Sequence, residues 1–118
     1  MGRLAVLISG RGSNLQALID ATETGKLDAE IVLVISDRSE ALGLSRAEKA
    51  GIPTRVVPWE GEEQRTAYFK RMVRILQEAQ VDLVVLAGFM RLLSANLIKA
   101  FPHRIINIHP SLLPAFPG

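Results

Sequence analysis

Asn107 and His109 stand two residues apart in the run INIHPSLLP, residues 106–114. On an extended strand that spacing turns both side chains to one face. Pro110 follows at once, lacks an N–H, and interrupts the strand's ladder. A carboxamide donor beside a titratable imidazole at a strand end is a set of groups suited to stabilising an oxyanion and moving a proton. A lone histidine carries little weight, and His103, next to Pro102 in a loop, is given no role. His109 gains weight from Asn107.

A second candidate is SGRGSNLQ, residues 9–16, between a predicted strand and a predicted helix. Its glycines permit a tight turn, and the helix start offers free N–H groups and a positive dipole end to an anion. The same residues fit a plain turn closed by a capping box between Ser13 and Gln16, and both readings stay open. A dinucleotide fingerprint wants glycine where Leu15 stands, so a nicotinamide site is a poor fit. Asp37, at the end of the second predicted strand, suits a ribose-binding acid but better suits a turn cap.

The third candidate is AGFMRLLS, residues 87–94. Backbone groups in such a loop can hydrogen-bond a flat heterocycle while Leu92 and Leu93 supply an apolar wall; ordinary loop packing is the alternative. Arg91 is the odd member. An arginine in an apolar loop needs a partner, either a ligand carboxylate or solvent.

The elements that must position these loops alternate along the chain. Apolar or β-branched runs predict strands at 4–9, 30–36, 54–57, 81–87 and 105–108; apolar periodicity predicts helices at 14–24, 41–50, 62–79 and 94–100. The order βαβαβαβαβ implies an α/β, Rossmann-like fold, a mostly parallel sheet with helices on both faces. Ligands bind such sheets beyond the carboxyl ends of the strands. Every candidate loop follows a strand, so all should converge on one rim.

With 118 residues, 48% of them hydrophobic and 22% charged, the chain is sized for one domain with a real core. Net charge is +2, and the arginines are scattered rather than clustered among aromatics, which argues against a nucleic-acid surface. Small phosphorylated ligands fit better. No cysteine is present, which removes disulfides and thiolate chemistry, and no histidine spacing suggests a metal site. No apolar run approaches the length of a membrane span, and no targeting signal stands out, so a cytoplasmic protein is expected.

Taken together, residues 9–20 (SGRGSNLQALID), 86–94 (LAGFMRLLS) and 106–118 (INIHPSLLPAFPG) resemble the phosphoribosylglycinamide formyltransferases of purine biosynthesis. The resemblance runs through the whole chain in order. It implies that Gly12, Ser13 and Asn14 hold the phosphate of glycinamide ribonucleotide. Met90, Arg91, Leu92 and Leu93 would line the pocket for the pterin of the co-substrate 10-formyltetrahydrofolate, with Arg65 and Asn107 also in the folate site. Asn107 and His109 would be catalytic, and no metal is implied. Read alone, Arg65 is a solvated helix residue.

The family's third catalytic residue is an aspartate on a later loop, and Asp20, Asp28, Asp37 and Asp82 belong to other matched segments. Residues 1–118 are therefore expected to be the N-terminal part of a formyltransferase domain, ending after the Asn-x-His-Pro strand, with little or no transfer activity alone. The apolar run at 112–116 would then be a sticky surface. The rival readings are formyltetrahydrofolate hydrolase, which uses water as acceptor, and a non-catalytic nucleotide-binding fragment. Methionyl-tRNA formyltransferase shares such a strand, but no tRNA surface is evident. The oligomeric state is not legible.

Overall fold

The computed structural model describes residues 2–108. His109 and the expected apolar surface at 112–116 lie outside the described residues. Five strands, β1 (Gly2–Ile8), β2 (Ala29–Ser36), β3 (Thr54–Val56), β4 (Leu83–Ala87) and β5 (Ile105–Ile108), form one sheet in the order β3-β2-β1-β4-β5. Every pairing is parallel. The Rossmann-like α/β expectation is met.

Strands of a doubly covered parallel sheet are apolar on both sides, and alternate residues of β1 show it. Val6 and Ile8 pack with Val34 and Val85 under α1 (Ser13–Glu23) and α2 (Gly43–Lys49), through Leu15, Ile19, Leu44 and Ala47. Leu7 packs on the other face with Ile35, Val84 and Leu86 under α3 (Arg65–Glu78) and α4 (Ala95–Ala100), through Tyr68, Phe69, Met72, Leu76 and Leu97. Each of these large side chains contributes roughly 1.5–3 kcal/mol through burial. Right-handed crossovers explain the division: the chain walks outward from β1 to β3 under α1 and α2, then returns to β4 across the opposite face.

Two helices start later than their apolar patterns suggest. Residues 41–44 are wound into tight turns, with Leu44 N–H donating to Ala41 O and Ser45 N–H to Leu42 O, before α2 proper. The helix expected from 62 opens with a 3-10 turn, Glu62–Gln64, ahead of α3. No described helix is long and apolar enough to cross a membrane.

The two rims of the sheet differ. At the amino rim, Arg3 donates through Nε to Gln80 O (3.0 Å) and through Nη2 to Ala79 O (2.8 Å), holding carbonyls just past the end of α3. At the carboxyl rim, strand order reverses between β1 and β4, which opens a crevice there. The candidate loops that follow β1, β2 and β4 all leave from this rim.

Candidate functional site

The loop after β1 is shaped by backbone contacts. Gly12 caps α1 in the left-handed region (φ 78°) and makes no side-chain cap bond. The capping box expected of Ser13 and Gln16 is therefore not formed. Ser13 is already the first helical residue, and the Gln16 amide donates to Asp20 Oδ1 at 3.0 Å instead. No side chain caps the helix start, so its first N–H groups have no side-chain acceptor and suit an anion.

α2 holds this loop from outside. Gly43 N–H donates to Gly10 O (3.0 Å), and Arg46 Nε donates to Arg11 O (2.8 Å). A Cβ on Gly12 would stand 2.6 Å from Gly43 Cα, and one on Gly43 would stand 2.5 Å from Ile8 Cδ1. Only two glycines let the strand end, the loop and the helix start meet this closely.

The loop after β4 closes on the first across the crevice. Met90 N–H donates to Ser9 Oγ at 2.9 Å, and Ser9 is buried. Phe89 meets Phe69 edge-on at 6.4 Å, and Leu93 packs on the α3–α4 core. Met90 and Leu92 remain 78% and 73% exposed, large apolar groups without protein cover among the described residues.

Asp37 and Arg91 make a contact with each other that the sequence did not suggest. Arg91 Nε donates to Asp37 Oδ2 at 2.7 Å, so its partner is a carboxylate of the protein. Its guanidinium carbon lies 4.9 Å from the centre of the Trp59 ring, a cation–π distance. Asp37 does not cap its turn; Ser36 does, its Oγ donating to Arg38 O (2.7 Å) and accepting from Arg38 N–H (3.0 Å). The swap follows from strand alternation, which sends the Asp37 side chain inward. Its Oδ1 is buried with no hydrogen-bond partner among the described residues, at a cost of about 1–3 kcal/mol. Beneath lies Tyr68, whose hydroxyl donates to Val57 O at 2.6 Å and whose ring meets Trp59 edge-on at 4.9 Å. Burial pushes the Tyr68 phenol pKa well above its ordinary value, and the Asp37 charge adds to that.

Asn107 is exposed on β5, in register with Leu86, which shares its level with Leu7 of β1. It therefore lies on the α3–α4 face near the carboxyl rim, two strands or about 10 Å from β1. Arg65 opens α3, half-buried and ion-paired to Glu62 rather than fully solvated. Among the described residues no hydrogen bond joins it to the loop after β4.

The structure thus brings the loops after β1, β2 and β4 together and sets Asn107 on the same rim. Sequence reasoning passed over Gly43, Arg46 and Trp59. The one signal available for Trp59 was its being the sole tryptophan, in a Pro-Trp-Glu-Gly loop following a strand.

The chain matches the formyl transferase family over residues 2–118. The trifunctional purine biosynthetic protein adenosine-3 of Drosophila melanogaster is 52% identical over 118 residues, which cover 98% of this chain and 9% of that protein. The phosphoribosylglycinamide formyltransferase of Escherichia coli strain K12 is 45% identical over 115 residues, 98% of this chain and 54% of that one. The crystal structure of glycinamide ribonucleotide transformylase 1 from Symbiobacterium toebii superposes with a TM-score of 0.90 at 49% identity, covering 100% of this chain and 56% of that one. The chain spans about half the length of these two formyltransferases.

Proposed function

The chain belongs to the formyl transferase family, and from that premise we propose that the protein carrying it moves the formyl group of 10-formyltetrahydrofolate to the amine of glycinamide ribonucleotide in purine biosynthesis. The observation that carries the proposal is the Met90 N–H to Ser9 Oγ bond of 2.9 Å. It ties an uncapped helix start, suited to a phosphate, to an apolar loop suited to a flat heterocycle, at the point where strand order reverses. One crevice then serves a phosphorylated acceptor and a folate donor.

In this reading the backbone N–H groups of Gly12, Ser13 and Asn14 receive the ribonucleotide phosphate. Met90, Leu92 and Leu93 form the pterin wall, and Arg65 and Arg91 supply cations to the donor. The exposure of Met90 and Leu92 supports this assignment, because large apolar groups at a functional rim fit a ligand better than water. The acceptor amine attacks the formyl carbon, and negative charge develops on the formyl oxygen. Asn107 donates a hydrogen bond to that oxygen, a contribution of about 3–4 kcal/mol for a well-placed donor. His109, as the imidazolium, shares this role, passes its proton to the departing folate nitrogen as the bond from that nitrogen to the formyl carbon breaks, and takes up the proton the acceptor amine loses, which restores the imidazolium. No step calls for a metal, and the cytoplasm, where both small molecules are soluble, is the proposed site of action.

The direct test is calorimetric titration of glycinamide ribonucleotide into the intact protein. We expect saturable binding that inorganic phosphate weakens competitively. Absence of binding would contradict the acceptor assignment and favour water as acceptor.

A further inference from the structure

The Asp37–Arg91 pair has a form that bears on the donor site. Asp37 has a fully buried side chain, whereas that of Arg91 is 32% exposed. The contact is single-pronged: Nε of Arg91 meets Oδ2 of Asp37, and the other carboxylate oxygen has no partner among the described residues. Arginine–carboxylate pairs are frequently bidentate, with both oxygens satisfied. Here the Nη1 and Nη2 atoms make no hydrogen bond among the described residues. Trp59 supports the guanidinium face from 4.9 Å. The plane of the fork is therefore set by two contacts, and its outer edge is left for something else.

We propose that Asp37 is a positioning residue for the donor: its buried carboxylate grips Arg91 Nε and so presents the Nη edge of Arg91 at the rim to a carboxylate or carbonyl of the incoming folate. The geometry also explains why a carboxylate is kept under an apolar loop. Asp37 follows β2, 54 residues from Arg91, and the bond between them spans the loops that follow β2 and β4. It sets Arg91 before the donor arrives, so less ordering is left for binding. The inference deepens the formyl-donor reading above and depends on it.

The test uses the intact protein, with 10-formyltetrahydrofolate as the calorimetric probe. Asp37→Asn keeps an acceptor for Nε but removes the charge, which roughly halves the strength of the bond. We expect folate affinity to fall about fivefold, with glycinamide ribonucleotide affinity unchanged. Emission of Trp59, isolated as the difference from a Trp59→Phe background, should shift as the cation above it loosens. A double variant, Asp37→Asn with Arg91→Gln, leaves no charge buried alone. It should bind folate no more weakly than Arg91→Gln itself, because Asp37 acts only through Arg91.

Equal folate affinity in Asp37→Asn and the unmodified protein, with unmoved Trp59 emission, would overturn the proposal. So would equal losses for folate and ribonucleotide, the mark of a general structural defect. If Arg91→Gln alone fails to fold, the split between the two ligands in Asp37→Asn decides. No folate binding by the unmodified protein would remove the donor reading itself, and this inference with it.

Discussion

A Cβ on Gly12 would stand 2.6 Å from Gly43 Cα. That approach docks the start of α2 on the loop after β1, and it makes Gly12 doubly constrained, by space and by its φ of 78°. Gly12→Ala should lose more than the roughly 1–2 kcal/mol of a left-handed alanine, because a backbone atom stands in the way. Gly25 is the matched control: its φ is 81°, and a Cβ there would have nothing within 4 Å. Denaturant melts should show Gly25→Ala losing only the conformational cost, and only Gly12→Ala should weaken ribonucleotide binding.

Arg91 and Arg38 both hold carboxylates, but in different surroundings. The Arg38–Glu40 pair is exposed on both sides, whereas Asp37 is wholly buried. Arg91→Ala strands that buried charge, a loss on the order of 3 kcal/mol. Arg38→Ala should cost less than about 1 kcal/mol. Similar unfolding midpoints for the two variants would show that the buried pair is not a strong contact.

The two outward apolar residues of the loop after β4 should separate binding from stability. Met90→Ala and Leu92→Ala are expected to leave stability within about 0.5 kcal/mol, as surface changes do, while weakening folate binding severalfold. Leu93 packs on the core, so Leu93→Ala should reduce both. Unchanged folate affinity in the first two variants would remove them from the donor pocket.

Tyr68 is followed by tyrosinate absorbance, taken as the difference between the protein and its Tyr68→Phe variant. Its folded pKa is raised, first by burial and then by Asp37. A raised phenol pKa means that the folded state disfavours the tyrosinate. Stability is therefore unaffected by this group below the unfolded value of about 10 and falls as pH rises from there toward the folded value. In that difference the folded protein should show little tyrosinate at a pH where the denatured protein is half ionised. Coincident titration curves would contradict the buried Tyr68 to Val57 contact.

Much of the rim was legible before the structure. β2 is a near-continuous β-branched run, and α3 shows its apolar face in Tyr68, Phe69, Met72, Ile75 and Leu76, so their types and limits could be read within a few residues. Parallel topology then put the candidate loops at one end of the sheet. What could not be read is pairwise. Whether Ser36 or Asp37 caps the turn depends on which face the strand presents as it ends. The Gly12–Gly43 approach joins segments with no shared periodicity. Arg91 had no visible partner because Asp37 lies 54 residues away, and chain distance says nothing about a crossover fold's rim.

Asn107 gives the catalytic reading its own check. Asn107→Ala removes a proposed oxyanion donor from an exposed strand position, so the fold should persist while turnover falls about 10²–10³-fold. Ribonucleotide binding should survive. A variant with normal turnover would take Asn107 out of the mechanism.

The proposed reaction hands a formyl group to an amine. The most direct measurement is consumption of 10-formyltetrahydrofolate by the intact protein, with and without glycinamide ribonucleotide, with the formyl group traced. Consumption is expected only when the ribonucleotide is present, with one formylated ribonucleotide formed for each folate released. Consumption at the same rate without it, yielding formate, would make water the acceptor and rule out transfer to the amine.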